Sequence, residues 1–227
     1  MTFDSAEFVN ACRVALSETD PVAAVTEAVD AAIAHGTSVD DALGTEISLE
    51  PLTLFSSPVL TVQRILWPSG ALSSIHDHRM WAVVGVYAGC EVNRLYRRSV
   101  HGLSELEGRE VRAGTALVLD ADAVHSAGNP RREWTAGLHV YGGDILGVER
   151  SGWDPGGNEL PYDEAVAPRR AIVQALRDFA SEQGEAFTAD DRFAAVMAVW
   201  AECENRRRHL TPTEAREVIS ASWKPTA

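Results

Sequence analysis

The sequence predicts an all-β core, an antiparallel barrel or jelly roll, flanked by α-helical N- and C-terminal additions. Three observations predict it. Between about Ile47 and Ile145, short segments rich in Val, Leu, Ile and Thr are cut by Pro58, Pro68-Ser69-Gly70, Ala88-Gly89, Gly102, Gly108, Gly114 and Gly128-Asn129-Pro130, the turn spacing of roughly eight strands. Before that region, Val22, Val25, Val29 and Ile33 recur at helical spacing. After it, beyond Pro168, the helical period returns.

In chain order, residues 1–45 form a helical lead-in, in which Asp20-Pro21 supplies an N-cap and a first-turn proline. Residues 46–145 form the barrel. Residues 146–227 start as the Gly- and Pro-rich connection "GGDILGVERSGWDPGGNELPYDE" and continue into helices. There Ile172, Leu176 and Phe179 make one stripe and Phe193, Met197 and Trp200 another. Thr211-Pro212-Thr213-Glu214 is a capping box with proline at the first helical position. Such stripes cover a barrel or a neighbouring subunit, and a homodimer is one assembly they would serve.

Composition narrows the function classes. The chain has 227 residues, 45% hydrophobic and 23% charged, within the range of a globular protein with one substantial core. Its formal net charge of −13 repels a phosphate backbone, and Arg206-Arg207-Arg208 is too short a basic run to offset it, so no nucleic-acid partner is expected. No stretch reaches the ~20 apolar residues of a membrane helix, and the acidic start is no signal segment, so no membrane partner and a cytoplasmic location are expected. Cys12, Cys90 and Cys203 are odd in number and widely spaced, which argues against disulfides and thiolate metal sites.

Chemistry concentrates around "SSIHDHRMW", residues 73–81. In a strand, alternate side chains share a face, so His76 and His78 point together while Asp77 and Arg79 point away. Imidazole suits divalent iron, zinc, copper or nickel. Alone, the pair reads equally as two ligands or as two histidines of an exposed strand. It stands, however, within Gly70-x5-His76-x-His78 and continues to Gly89, and a second block follows, Gly114-x5-Asp120-x-Asp122-x2-His125-x3-Asn129.

These two spaced blocks resemble the paired motifs of the cupin superfamily over about residues 50–145. The resemblance implies a double-stranded β-helix, the cupin jelly-roll barrel, with His76, His78 and His125 as metal ligands. Ala82 and Val83 stand where cupins usually carry a glutamate ligand, and loss of that glutamate is a mark of the cysteine dioxygenase-like, or thiol dioxygenase, cupins. Three neutral imidazoles leave the full charge of a divalent ion and favour an anionic partner such as a thiolate. The strand "GLHVYGG" is similar to the Ser-x-His-x-Tyr relay of those enzymes, which implies that Tyr141 contacts substrate and oxygen while His139 orients it; Gly137 takes the serine position.

The resemblance therefore implies a mononuclear non-haem Fe(II) enzyme, with zinc, nickel or manganese as alternative metals, that oxidises a small thiol to a sulfinic acid with O2. Two other functions remain open: a cupin metalloenzyme acting on a non-sulfur small molecule, and a non-enzymatic cupin that binds a metal or small molecule. Cysteine dioxygenases hold the substrate carboxylate with an Arg on an early strand, but "ISLEPLTLFSS" contains none. Gln63, Arg64 and Arg79 are the nearby candidates, with Arg94, Arg97 and Arg98 farther along; Arg79 is expected instead in a surface ion pair. Cys90 is expected to be a packed thiol.

Overall fold

The computed structural model describes residues 2–44, 51–100 and 102–223; the start of "ISLEPLTLFSS" lies outside them. Helices α1 (Ser5–Ala15), α2 (Pro21–Ile33) and α3 (Gly36–Leu43) come first. Asp20 caps α2 through its carboxylate and Pro21 occupies the first turn, as the sequence predicts, and Asp4 caps α1 in the same way.

Eleven strands follow among the described residues, three more than expected. Strands β1 (Leu52–Ser57), β2 (Leu60–Trp67), β9 (Thr135–Tyr141), β4 (Ala82–Ala88) and β7 (Thr115–Leu119) make a five-stranded sheet in that spatial order. A six-stranded sheet runs β11 (Glu159–Pro161), β10 (Ser151–Trp153), β3 (Ile75–Asp77), β8 (Val124–Gly128), β5 (Cys90–Ser99) and β6 (Gly102–Arg112). All pairings are antiparallel. The two sheets form a jelly roll flanked by helices, which is the predicted fold class.

Strand alternation decides what each sheet face carries. On β4, Ala82, Val84 and Val86 face the interior with Leu117, Leu119, Tyr141 and Ile145, while Val83 and Tyr87 face outward. Against that outer face lies α2, whose Val25, Val29 and Ile33 pack on Leu60, Val62, Leu138 and Val140. Burying each such side chain contributes roughly 1.5–3 kcal/mol. Gly85 makes this approach possible, since a Cβ there would lie 2.2 Å from Val29 Cγ1.

Beyond β11, helices α4 (Tyr162–Gln183), α5 (Ala189–Arg206) and α6 (Pro212–Ser222) build their own apolar cluster. Ile172, Leu176 and Phe179 are buried as expected, but the buried stripe of α5 is Ala195, Val199, Trp200 and Cys203. That face is rotated from the predicted one; Phe193 instead meets Arg132, whose guanidinium carbon is 5.1 Å from the ring centre. The capping box at Thr211 and Glu214 forms, and a second forms at Thr188 and Asp191. Trp200 Nε1 donates to the Gly70 carbonyl at 3.1 Å and Ser74 Oγ to the Ala165 carbonyl at 3.2 Å, joining this cluster to the segment before β3.

Candidate metal centre

Three imidazoles meet between the sheets. His76 on β3 lies directly opposite His125 on β8, and His78 follows just beyond the end of β3. His78 Nε2 is 3.2 Å from Nε2 of His76 and 3.2 Å from Nε2 of His125. All three residues are buried, and their ligand atoms lie within 4.8 Å of one another. Nitrogens each about 2.0–2.1 Å from one metal ion stand roughly 3.0–3.4 Å apart in octahedral or tetrahedral geometry, so this spacing fits a shared divalent ion.

The hydrogen bonds behind the rings set their tautomers. His76 Nδ1 is 2.9 Å from the Ser74 carbonyl, an acceptor only, so Nδ1 carries the proton and Nε2 presents a bare lone pair. His125 Nδ1 is 2.8 Å from Asn93 Oδ1, with the same consequence. Among the described residues His78 Nδ1 has no partner. Two bare lone pairs and a third ring nitrogen are thus crowded at one point, an adverse arrangement that a cation relieves.

Burial, then the charge of Arg150, drives His76 down to about 4. Burial chiefly, with the neighbouring imidazoles and Arg150, holds His78 and His125 well below the ordinary histidine value. The rings are therefore neutral at pH 7, as ligation requires.

Tyr141 and His139 reach the same space from β9 on the facing sheet. The Tyr141 ring stands edge-on to His78 at 5.1 Å between centres, and its hydroxyl is 3.5 Å from His139 Nδ1. Burial raises the Tyr141 hydroxyl above its ordinary value, opposed by Arg150, so it keeps its proton. At Gly137 a Cβ would lie 3.0 Å from His139 Nε2 and 3.0 Å from the Gly85 carbonyl, so the imidazole occupies the space a serine would need. Ala82 faces Tyr141 and Val84 faces His139 across β4 and β9, which makes that wall apolar, while Val83 points outward.

None of the candidate substrate clamps turns to the site. Gln63 shares the inner face of β2 opposite His139, but its amide donates to Thr53 Oγ1 at 3.1 Å. Arg64 falls on the outer face by alternation, and its Nη1 donates to the Gly44 carbonyl under the helices. Arg79, with φ of 60°, places Nε 2.9 Å from Asp77 Oδ2 outside the barrel, an ion pair as expected, but with a carboxylate that is buried rather than at the surface. Arg94 pairs with Glu204 and Arg98 with Asp77 and Glu159, and Arg97 is exposed. Cys90 is buried, its amide bonded to Thr135 Oγ1.

A cation does bear on the site through Tyr162: Arg150, just before β10. Its guanidinium carbon lies 3.4 Å from the centre of the Tyr162 ring, which in turn stands 5.6 Å from His76. Its charge acts on all three histidines and on Tyr141. Among the described residues no carboxylate pairs with it.

Strand β5 adds a second unforeseen group. Glu91 is fully buried, accepting from Trp67 Nε1 at 2.7 Å and from Asn93 Nδ2 at 3.0 Å. Its Oε2 is 3.3 Å from His139 Nε2, off the line of a good hydrogen bond. The signal in the sequence was "CEVNRL", where two polar residues alternate on a strand that is otherwise apolar at its start. A cleft of about 390 Å³ on the outer side, walled by Ile75, Tyr96, Trp153, Arg169 and Trp200, contains none of the three histidines.

No family model matches the chain. Among solved structures, it is similar to a cupin family protein with a double-stranded β-helix fold from Methanocaldococcus jannaschii, at 11% identity over 44% of this chain and 87% of that one, TM-score 0.37. A cupin superfamily protein from Desulfitobacterium hafniense aligns at 12% identity over 44% and 83%, TM-score 0.37. Hydroquinone 1,2-dioxygenase from Sphingomonas sp. aligns at 11% identity over 44% and 70%, TM-score 0.36. No helix among the described residues is long and apolar enough to cross a membrane.

Proposed function

We propose that the protein is a cupin-type, metal-dependent dioxygenase that oxidises a small thiol bearing a carboxylate to the corresponding sulfinic acid, RSH + O2 → RSO2H. The observation that carries this reading is the three-imidazole cluster, which no carboxylate joins among the described residues. Iron(II), when bound, supplies the redox-active centre at which sulfur and O2 react. Neutral His76, His78 and His125 leave the ion's charge uncompensated and so favour a thiolate. The Arg150 guanidinium, stacked on Tyr162 and with no carboxylate partner among the described residues, offers a bidentate partner for the substrate carboxylate. Tyr141, whose ring stands edge-on to His78, holds a proton at its hydroxyl, with His139 Nδ1 as its neighbour. Ala82 and Val84 offer no ligand atom on the neighbouring wall.

Metal analysis of the purified protein, then oxygen uptake by the Fe(II) form with cysteine, 3-mercaptopropionate and cysteamine, tests the reading. Arg150→Met is expected to raise KM for the two carboxylate-bearing thiols about 10- to 100-fold, the worth of a charged hydrogen bond, and to leave cysteamine unaffected. Iron binding without thiol-stimulated oxygen uptake would overturn the proposed reaction.

A further inference from the structure

Of the two buried carboxylates among the described residues, Asp77 turns outward to Arg79 and Arg98. Glu91 turns inward, and nothing in the proposed chemistry uses it. An acid with no exposed surface is costly unless each oxygen finds a donor. Here Oε1 accepts from Asn93 Nδ2, and Oε2 accepts from Trp67 Nε1 and faces His139 Nε2. These contacts have directional consequences. A carboxylate can only accept, so Asn93 must turn Nδ2 toward Glu91 and Oδ1 toward His125. Asn93 Oδ1 in turn can only accept, so His125 must carry its proton on Nδ1 and offer Nε2 to the cluster. On the other side, an anion beside His139 Nε2 favours the proton there, leaving Nδ1 to accept from the Tyr141 hydroxyl.

We propose that Glu91 is a positioning residue shared by both halves of the site: through Asn93 it fixes the tautomer and aim of His125, and through His139 it fixes those of Tyr141. It takes the outermost place in the relay that Gly137 leaves empty. It also returns a negative charge to a centre without a carboxylate ligand, while occupying no coordination position. The first arm rests on the reading of His125 as a metal ligand, and the two can fail separately.

The test titrates wild type, E91Q, N93A and the double variant with Co(II), reading affinity and the visible ligand-field bands. E91Q and N93A are each expected to weaken Co(II) binding about 10- to 100-fold, and the double variant should bind like N93A alone. Wild-type affinity in E91Q, or a double variant whose loss is the product of the single losses, overturns the proposal. A merely structural role for Glu91 would lower Tm without this non-additivity. Nitrogen-15 NMR of the metal-free wild type needs no variant to fold: His125 is expected to carry its proton on Nδ1 and His139 on Nε2. The opposite tautomer at either ring overturns the corresponding arm. If wild type binds no Co(II) while the tautomers are as stated, the metal reading fails and the positioning role of Glu91 stands.

Discussion

At the scale of single residues, the most informative positions are small ones. Ala82 and Gly137 both stand where a polar group was expected from the resemblance, and both are filled from elsewhere. Ala82 adjoins Tyr141 across the sheet, and the space beside Gly137 holds the His139 imidazole. Restoring the serine is therefore expected to do harm. In Gly137→Ser the new Cβ would press on His139 Nε2 and a backbone carbonyl, so turnover should fall at least about tenfold while Co(II) affinity stays at the wild-type value. Unchanged turnover in the Fe(II) form would show that His139 is not held where the structure places it. His76 and His78 were legible as a pair because strand alternation puts residues two apart on one face, and His125 joined them only through the resemblance of the second motif block. Glu91 and Arg150 were not: one faces partners on its own strand and on β9, which only the closed sheets bring to it, and the other is a single arginine in a segment without periodicity.

Among the elements, the contact of α2 with the five-stranded sheet is the most tightly determined. Helical periodicity in Val22 to Ile33 marked one apolar face, and β4 is apolar along its whole length, so one of its two faces is free to meet the helix. What neither pattern states is the depth of the contact, which Gly85 sets. Its missing side chain admits Val29 and Ile33, with would-be Cβ distances of 2.2 and 3.1 Å. Gly85→Val is expected to destabilise the protein by about 1–3 kcal/mol, the cost of overpacking. Denaturant unfolding of the metal-free protein checks this, and an unchanged midpoint would mean that the helix does not sit as described. Helix α5 shows the limit of pattern reading. Its sequence carries apolar residues around more than one face, and only the partners Leu72, Ile172 and Ala215 select which face is buried.

For the molecule as a whole, buried neutral histidines couple stability to pH. His76 titrates at about 4 in the folded chain, and His78 and His125 lie well below the ordinary value, chiefly because burial penalises their charged forms. In the unfolded chain each returns to about 6.5. Between those values the unfolded state binds more protons, so metal-free stability is full above about pH 6.5 and falls as pH drops toward 4. Each histidine contributes a slope of up to about 1.4 kcal/mol per pH unit. Thermal unfolding followed from pH 8 to pH 4 should show this loss, and it should shrink when His76, His78 and His125 are replaced by Ala together. A flat profile in the wild type would mean that these rings are not buried and neutral.

The sequence by itself determined the strand-rich centre, the helical ends and the caps of α2 and α6, which follow from local periodicity and local capping chemistry. His76, His78, His125, His139 and Tyr141 were singled out by the resemblance of their motif blocks to a known family, not by spacing alone, and the fold brings their rings together. Only the tertiary structure decided which charges serve the cluster. It turned Gln63, Arg64 and Arg79 to other partners and brought Arg150, Tyr162 and Glu91 toward the imidazoles. The physical reason is that a site between two sheets takes its electrostatics from residues distant in the chain, and a charge's role depends on which partners lie within a few ångströms once the sheets have closed.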